Sequence, residues 1–196
     1  LAQLGQKVFL FDKAIIQESA KPQALSGTNA SLGILMGYVF RRTKGRAWLL
    51  REKSMHIWPK WLMKLKAFDS SIEIETPLAL LAKTQEESDY MKLLAIEKKG
   101  YGIEFAKKYS EIWPKKELPE AQFGGLISHQ DGRIDPKKLQ KCLLNALNEN
   151  NVETIRNKVV CIKRNDIHKN NKWKVITEEG REFEYDTIVV CAALER

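Results

Sequence analysis

The sequence has no apolar run long enough to cross a membrane, and it has few cysteines. Its 196 residues contain no stretch near the ~18 to 20 apolar residues of a membrane span, and no charged and then apolar leader opens the chain. The three cysteines, Cys142, Cys161 and Cys191, are isolated, with no C-x-x-C pair and no cluster of histidines. We therefore expect a cytoplasmic protein with small core cysteines, no metal site and no membrane partner.

Acidic residues are nearly missing from one stretch, residues 41–66. It contains nine basic residues against one acid, Glu52, and so carries the whole formal charge of +8. Trp58, Trp61 and Leu65 recur at helical spacing, and Ser54 is a plausible N-cap. Interleaved tryptophan and basic residues can bind RNA or an anionic membrane. A solvated basic face over a buried aromatic stripe is the commoner arrangement, and we expect no nucleic-acid partner.

The remainder has the composition of an ordinary globular protein, with 43% hydrophobic and 30% charged residues. Near its start, Leu1 to Gly5 reads as a last helical turn closed by glycine, and the apolar strand KVFLFD follows and ends at Asp12. Helix, glycine, strand and acid are the second half of a dinucleotide-binding βαβ unit, in which the acid accepts hydrogen bonds from a ribose. The glycine-rich loop expected about 20 residues upstream of the acid is absent, so either the motif is missing or the chain is part of a longer polypeptide.

Residues 13–37 lack helical or strand periodicity, which predicts a long ordered loop. Its centre, residues 24–33, is rich in small residues that allow close backbone approach to a flat ring or a diphosphate. Ser26, Thr28 and Asn29 add hydroxyl and amide groups. An ordinary surface loop explains the composition equally well.

The later sequence contains clear element signals. Thr84 to Glu87 is a capping box that opens a helix, and Asp135 with Pro136 supplies the N-cap and first residue of another. Residues 123–134 predict a strand pair turned at Asp131 and Gly132. Residues 151–162 predict two short strands, 173–185 a hairpin, and the run 186–193, DTIVVCAA, a strand buried on both faces.

Taken together, these patterns resemble the D-amino-acid oxidase superfamily of flavoenzymes, specifically its glycine oxidase and sarcosine oxidase branch. In that branch the loop ASGANAG follows the ribose-binding acid, and here ALSGTNAS follows Asp12. The segment GGLISHQDGRIDPKKL matches the family passage that ends D-G-x-x-D-P-x-x-L, and DTIVVCAA matches D-x-V-V-x-A-x-G. Ser31 and Ala193 stand where the family usually has glycine.

The resemblance implies an α/β fold: a Rossmann-like FAD-binding domain with an inserted α+β substrate domain, incomplete at both ends. Residues 1–70 and 129–196 would form the two parts of the FAD-binding domain, and 71–128 part of the substrate domain. The acid would bond the adenosine ribose, the loop would lie along the diphosphate and flavin, and one valine would contact the adenine through its backbone. The implied FAD-binding residues are Asp12, Lys13, Ser26, Gly27, Thr28, Asn29, Ala30, Ser31, Leu32 and Val159.

The implied activity is FAD-dependent oxidation of an amino acid or secondary amine of the glycine, sarcosine or D-amino-acid type. No catalytic residue is assigned, because His56, His129 and His168 lie in no catalytic motif. Two alternatives stay open: the same domain acting on a modified tRNA base, and a non-catalytic flavin-domain subunit or remnant. A homo-oligomer or a partner subunit is compatible with each of these.

Overall fold

The computed structural model describes residues 1–13, 15, 31–40, 44–107, 122–165 and 172–191. Over these residues the chain is a mixed α/β structure with parallel and antiparallel sheets, which confirms the predicted fold class. It divides into two compact units, one formed by Leu1–Ala30 with Leu144–Arg196 and the other by Ser31–Leu143. These two units are defined only by how compactly the chain packs. The assignment to cofactor and substrate domains stays a prediction, with residues 1–70 and 129–196 in the cofactor domain and 71–128 in the substrate domain.

The described residues form three α-helices and eleven strands, most of the strands short. The α-helices are α1 (Arg46–Leu65), α2 (Gln85–Glu97) and α3 (Pro136–Glu149). The strands are β1 (Phe9–Phe11), β2 (Ile34–Leu35), β3 (Ile74–Glu75), β4 (Leu78–Leu81), β5 (Ile103–Ala106), β6 (Gly125–Ser128), β7 (Gly132–Ile134), β8 (Glu153–Ile155), β9 (Val159–Asn165), β10 (Lys172–Thr177) and β11 (Glu182–Tyr185). No helix in this part of the chain is long and apolar enough to span a bilayer.

Strand β1 begins after a left-handed glycine, as the sequence predicts. Gly5 has φ 79° and ends a single 3-10 turn over Ala2–Leu4. Positive φ costs glycine little, so the chain can reverse here and start a strand. β1 then pairs in parallel with β8, with Phe11 opposite Ile155.

Aromatic packing supports β1 from the side of the antiparallel sheet β11–β10–β9. The rings of Phe9 and Tyr185 lie with their centroids 5.1 Å apart, and those of Phe11 and Phe183 lie 5.3 Å apart, nearly edge to face. Such pairs contribute about 0.5 to 1.5 kcal/mol each beyond the area they bury. The position of β1 is therefore fixed by two phenylalanines of the KVFLFD run.

The predicted strand over residues 186–193 is not observed: residues 187–191 belong to no strand. Val189 and Val190 are 65% and 70% exposed, and Cys191 is exposed as well, so the predictions of a buried strand and of a core cysteine at 191 are both wrong. A strand exists only through hydrogen bonds to a neighbour, and the described residues provide none for this run. The parallel neighbour of β1 is β8.

The second unit contains two antiparallel sheets, in the orders β2–β7–β3 and β4–β6–β5. Because β6 and β7 lie in different sheets, the predicted hairpin turned at Asp131 and Gly132 is wrong. Both edges of β6 are taken by β4 and β5, which leaves no edge for β7. The chain therefore crosses from one sheet to the other at Asp131.

Helix α1 is longer than its sequence signals predict. It begins at Arg46 after Gly45, eight positions before the predicted cap Ser54, and continues through Pro59. Trp48, only 5% exposed, anchors the additional turns in a core with Tyr38 and Leu126. Tertiary packing of that indole therefore decides where the helix starts.

The other predicted helix caps are confirmed. The Thr84 side chain accepts a hydrogen bond of 3.2 Å from the N–H of Glu87 at the start of α2. Asp135 accepts from the N–H groups of Lys137, 2.8 Å, and Lys138, 3.3 Å, at the start of α3. Each cap satisfies amide groups that have no partner inside the helix.

Candidate functional site

The carboxyl end of the parallel pair β1–β8 carries the first predicted site residue. The N–H of Asp12 donates to the carbonyl of Ile155 at 3.1 Å, which extends the pairing by one residue beyond β1. The Asp12 side chain is exposed at that edge. Ligands of open α/β sheets bind outside the carboxyl ends of the strands, so Asp12 lies where such a ligand would bind.

Lys13 and Val159 lie around the same edge. The Lys13 ammonium contacts the Glu178 carboxylate at 3.0 Å, and the N–H of Glu178 donates to the carbonyl of Lys158 at 2.8 Å. Val159 follows directly as the first residue of β9, and it is half-buried. The structure thus brings Asp12, Lys13 and Val159, which are far apart in sequence, to one end of the first unit.

The charge of Lys13 affects its partner. The hydrogen bond from Lys13 and its positive charge lower the pKa of Glu178 below its usual value. Both side chains are more than half exposed, so the ion pair adds little to stability. Lys13 can therefore exchange Glu178 for an anionic ligand at small cost.

Two further predicted site residues, Ser31 and Leu32, lie in the second unit just before Gly33. The Ser31 hydroxyl accepts a hydrogen bond of 3.1 Å from the N–H of Gly33. The Leu32 carbonyl accepts one of 3.1 Å from Arg133, and its side chain is 70% exposed. Gly33 has φ 68°, and a Cβ there would lie 1.9 Å from the carbonyl oxygen of Ile134. Predicted site residues 26–30 lie outside the described residues.

Sequence reasoning did not identify the structural role of Asp131, which is fully buried. Its carboxylate accepts hydrogen bonds from three successive amides, Gly37 at 2.7 Å, Tyr38 at 3.0 Å and Val39 at 2.9 Å. Its own N–H donates to the hydroxyl of Ser128 at 3.1 Å. The D-G-x-x-D-P passage was the available signal, but only the fold shows which amides its first aspartate binds.

Lys98 binds the carbonyl side of the same segment. Its ammonium donates to the carbonyl of Tyr38 at 2.6 Å and to that of Phe40, and the residue is 1% exposed. Burial lowers the pKa of Lys98 below its usual value. The amides of residues 37–39 thus face a carboxylate and the carbonyls of 38 and 40 face an ammonium, and we name this arrangement the 37–40 clamp.

The histidines in the described part of the chain form no catalytic constellation. His56 Nδ1 lies 2.9 Å from the carbonyl of Glu52 and 3.5 Å from the Tyr38 hydroxyl. His129 Nε2 lies 3.5 Å from the Glu104 carboxylate, and both side chains are largely exposed. His168 lies outside the described residues. No group of three or more potential metal ligands occurs in the part of the chain that the structure describes.

Comparison with known proteins identifies the kind of domain. The family model for DAO, FAD dependent oxidoreductase, matches residues 1–195. Glycine oxidase from Geobacillus kaustophilus superposes with a TM-score of 0.76 at 22% identity, over 98% of this chain and 50% of that one. A comparison with curated protein sequences found no match.

Two further solved structures share the fold. Iminodiacetate oxidase from Chelativorans sp. BNC1 gives a TM-score of 0.71 at 14% identity, over 95% of this chain and 48% of that one. L-proline dehydrogenase from P. horikoshii gives 0.60 at 18% identity, over 93% and 45%. The chain therefore spans about half the length of these structures.

Proposed function

Because the chain belongs to the DAO family of FAD dependent oxidoreductases, we propose that it is part of an enzyme that oxidises the C–N bond of an amino acid or secondary amine. Glycine, sarcosine and D-amino acids are the proposed substrates. The neighbours described above are named for substrates that contain an amine, which supports this class. When bound, FAD supplies the acceptor for the hydride that leaves the carbon next to nitrogen, and water hydrolyses the resulting imine.

The position of the Asp12 carboxylate is the observation that best supports the proposal. An exposed carboxylate at the carboxyl end of a parallel strand offers acceptor oxygens where a ribose diol would present hydroxyl donors. The residues at this edge fit the adenosine end of FAD. Asp12 binds the ribose, and Val159, at the start of β9, contacts the adenine through its backbone.

The other proposed contacts concern the negative end of the cofactor. Lys13 adds a cation beside Asp12 that can replace its Glu178 contact with an anionic group. The loop that includes Ser26, Gly27, Thr28, Asn29 and Ala30 lines the diphosphate and flavin, and Ser31 and Leu32 end it. No acid or base is proposed, since the cofactor carries the redox chemistry and the protein contributes position and electrostatics.

The test is the affinity of the complete protein for FAD. Asp12→Ala should lower it by about 1.5 to 3 kcal/mol, the scale of hydrogen bonds to a charged group, or roughly 10- to 150-fold in Kd. Glu179→Ala removes an exposed carboxylate from the β10–β11 turn of the same unit and serves as the matched control. Equal Kd values for Asp12→Ala, Glu179→Ala and wild type, from quenching of flavin fluorescence, would rule out the ribose role.

The substrate class needs a separate measurement. Anaerobic addition of glycine, sarcosine or D-amino acids should bleach the flavin absorbance of the FAD-bound protein. Bleaching only by tRNA with a modified base would support the alternative that the domain oxidises a tRNA base. In that case the affinity for tRNA should fall as the salt concentration rises. Flavin that is bound but reduced by neither substrate would support a non-catalytic subunit. A cytoplasmic location and a partner subunit stay predictions.

A further inference from the structure

The solvent side of helix α1 carries large apolar residues, one of which the sequence pattern predicted to be buried. Trp61, predicted to be buried with Trp58, is 52% exposed, and Leu50 and Ile57 are 71% and 41% exposed. The packed side of the helix uses a different row, including Trp48, Met55 and Leu62. Leu50, Ile57 and Trp61 are spaced by seven and four residues, so they form one apolar row along the solvent side of the helix.

A row of cations runs beside this apolar row. Arg46, Lys53, Lys60 and Lys64 are exposed and are spaced by seven, seven and four residues. Within the described residues, none of these four side chains forms an ion pair with a carboxylate.

The only acid of α1, Glu52, is half-buried on another side of the helix. We name the two rows together, Arg46, Leu50, Lys53, Ile57, Lys60, Trp61 and Lys64, the α1 face. It is cationic and apolar at once.

We propose that the α1 face docks on the surface of an anionic phospholipid bilayer, which goes beyond the oxidation chemistry proposed above. Anionic lipid headgroups complement the charge of the cationic row, and the apolar row inserts into the interfacial region. The indole of Trp61 would lie at the membrane–water interface, where tryptophan is enriched in membrane proteins. The long lysine stems can reach up from apolar surroundings to phosphate. The helix lies in the plane of the interface and does not cross it.

The apolar row favours lipid over nucleic acid. RNA binding pairs arginine and lysine with phosphate and stacks aromatic rings on bases, and aliphatic Leu50 and Ile57 have no counterpart there. A bilayer interface uses both rows at once. Each Lys or Arg near an anionic surface contributes roughly fivefold to partitioning, so several cations and a few apolar side chains give measurable binding.

Co-sedimentation of the complete protein with vesicles tests the proposal. Vesicles of equal parts phosphatidylglycerol and phosphatidylcholine should bind it, while pure phosphatidylcholine vesicles should bind far less, and added salt should weaken the binding. Changing Lys53, Lys60 and Lys64 together to Glu should lower partitioning about a hundredfold or more. Changing Leu50, Ile57 and Trp61 together to Ser should lower it roughly tenfold or more without changing net charge.

The matched control reverses three exposed lysines elsewhere, Lys137, Lys138 and Lys141 on α3. It makes the same change in net charge but leaves every residue of the α1 face in place, so vesicle binding should fall far less than in the Lys53, Lys60 and Lys64 variant. Circular dichroism melts of all variants establish that they are folded. The difference in tryptophan emission between wild type and Trp61→Phe should shift to the blue only with anionic vesicles.

Several outcomes would overturn the proposal. One is absence of anionic vesicle binding by the folded wild type, and another is an equal loss in the α3 control, which would show that net charge alone acts. Binding of tRNA lost in the Lys→Glu variant, with vesicle binding absent, would assign the α1 face to nucleic acid. Self-association in sedimentation velocity that the Ser variant abolishes, again without vesicle binding, would assign it to a second copy.

Discussion

Replacing Asp131 by Asn should destabilise the protein strongly although the two side chains have the same shape. The carboxylate accepts from Gly37 and Tyr38 through Oδ1 and from Tyr38 and Val39 through Oδ2. In asparagine one of these atoms becomes an NH₂ group, which faces amide donors and cannot accept. At least one buried amide loses its partner, and the bonds that remain lose their charge.

The magnitude follows from the burial of the site. A buried unsatisfied donor costs about 1 to 3 kcal/mol, and hydrogen bonds to a charged group contribute about 1.5 to 3 kcal/mol each. We expect a loss of about 3 kcal/mol for Asp131→Asn and about 4 kcal/mol for Asp131→Ala. The Ala variant leaves all three buried amides without the carboxylate and removes one of the two negative charges near Lys98. Both values are large against a typical unfolding free energy of about 5 to 15 kcal/mol.

Urea unfolding at neutral pH measures this loss. With a slope of about 1 to 3 kcal/mol per molar, the midpoint of Asp131→Asn should fall by about 1 to 3 M. Asp135→Asn is the matched control: it makes the same chemical change four residues along the chain, at a half-buried N-cap where Asn and Asp are nearly equivalent. It should shift stability by less than about 0.5 kcal/mol. Equal midpoints for the two variants would refute the carboxylate account of the 37–40 clamp.

A double-mutant cycle extends the same reasoning to Lys98. Tyr38 donates its N–H to Asp131 and its carbonyl accepts from Lys98, so one peptide segment joins the two charges. Lys98→Met keeps most of the apolar stem and removes the ammonium. The losses from Lys98→Met and Asp131→Asn should be non-additive by about 0.5 to 3 kcal/mol. Simple addition would show that the two side chains act separately.

Three further predictions concern single sites and the chain alone. Gly33→Ala should cost several kcal/mol because its Cβ would meet the Ile134 carbonyl, whereas Gly5→Ala, at a similar positive φ with nothing within 4 Å, should cost only about 1 kcal/mol in urea unfolding. The backbone N–H of Lys137 holds the pKa of Asp135 below its usual value of 3.8. Asp135 therefore stabilises the fold above its unfolded pKa, and this contribution is lost as pH falls through the folded pKa. The difference in unfolding free energy between wild type and Asp135→Ala should be full at pH 7 and close below about pH 4, and a difference that widens in acid would contradict this. These 196 residues contain no G-x-G-x-x-G loop, so alone they should bind FAD weakly or not at all; yellow protein after desalting, with peroxide release on glycine or sarcosine, would contradict that.

The sequence determined the features that depend on neighbours a few residues apart. Gly5 ends its turn, Thr84 and Asp135 cap their helices, and β1 forms where KVFLFD predicts it. A cap or a turn is complete within about four residues, so its residue types suffice to specify it. The same local motifs in their order were enough to indicate the family.

Only the tertiary structure decided which distant groups meet. β1 pairs with β8 and not with residues 187–191, and Asp131 binds the amides of residues 37–39 instead of turning a hairpin. Strand pairing and buried polar contacts depend on which strand edges and amide groups the rest of the fold leaves unoccupied. The local sequence of a segment does not specify which edges and amides these are.

Helix α1 shows the same limit on one element. Spacing predicted a helix near residues 54–65 and a buried row that includes Trp61, but Trp48 extends the helix to Arg46 and Trp61 faces solvent. Helical periodicity identifies rows of side chains and leaves open which row is buried when tryptophans lie in more than one. The rest of the fold selected the row of Trp48, Met55 and Leu62, since those side chains pack in its two cores.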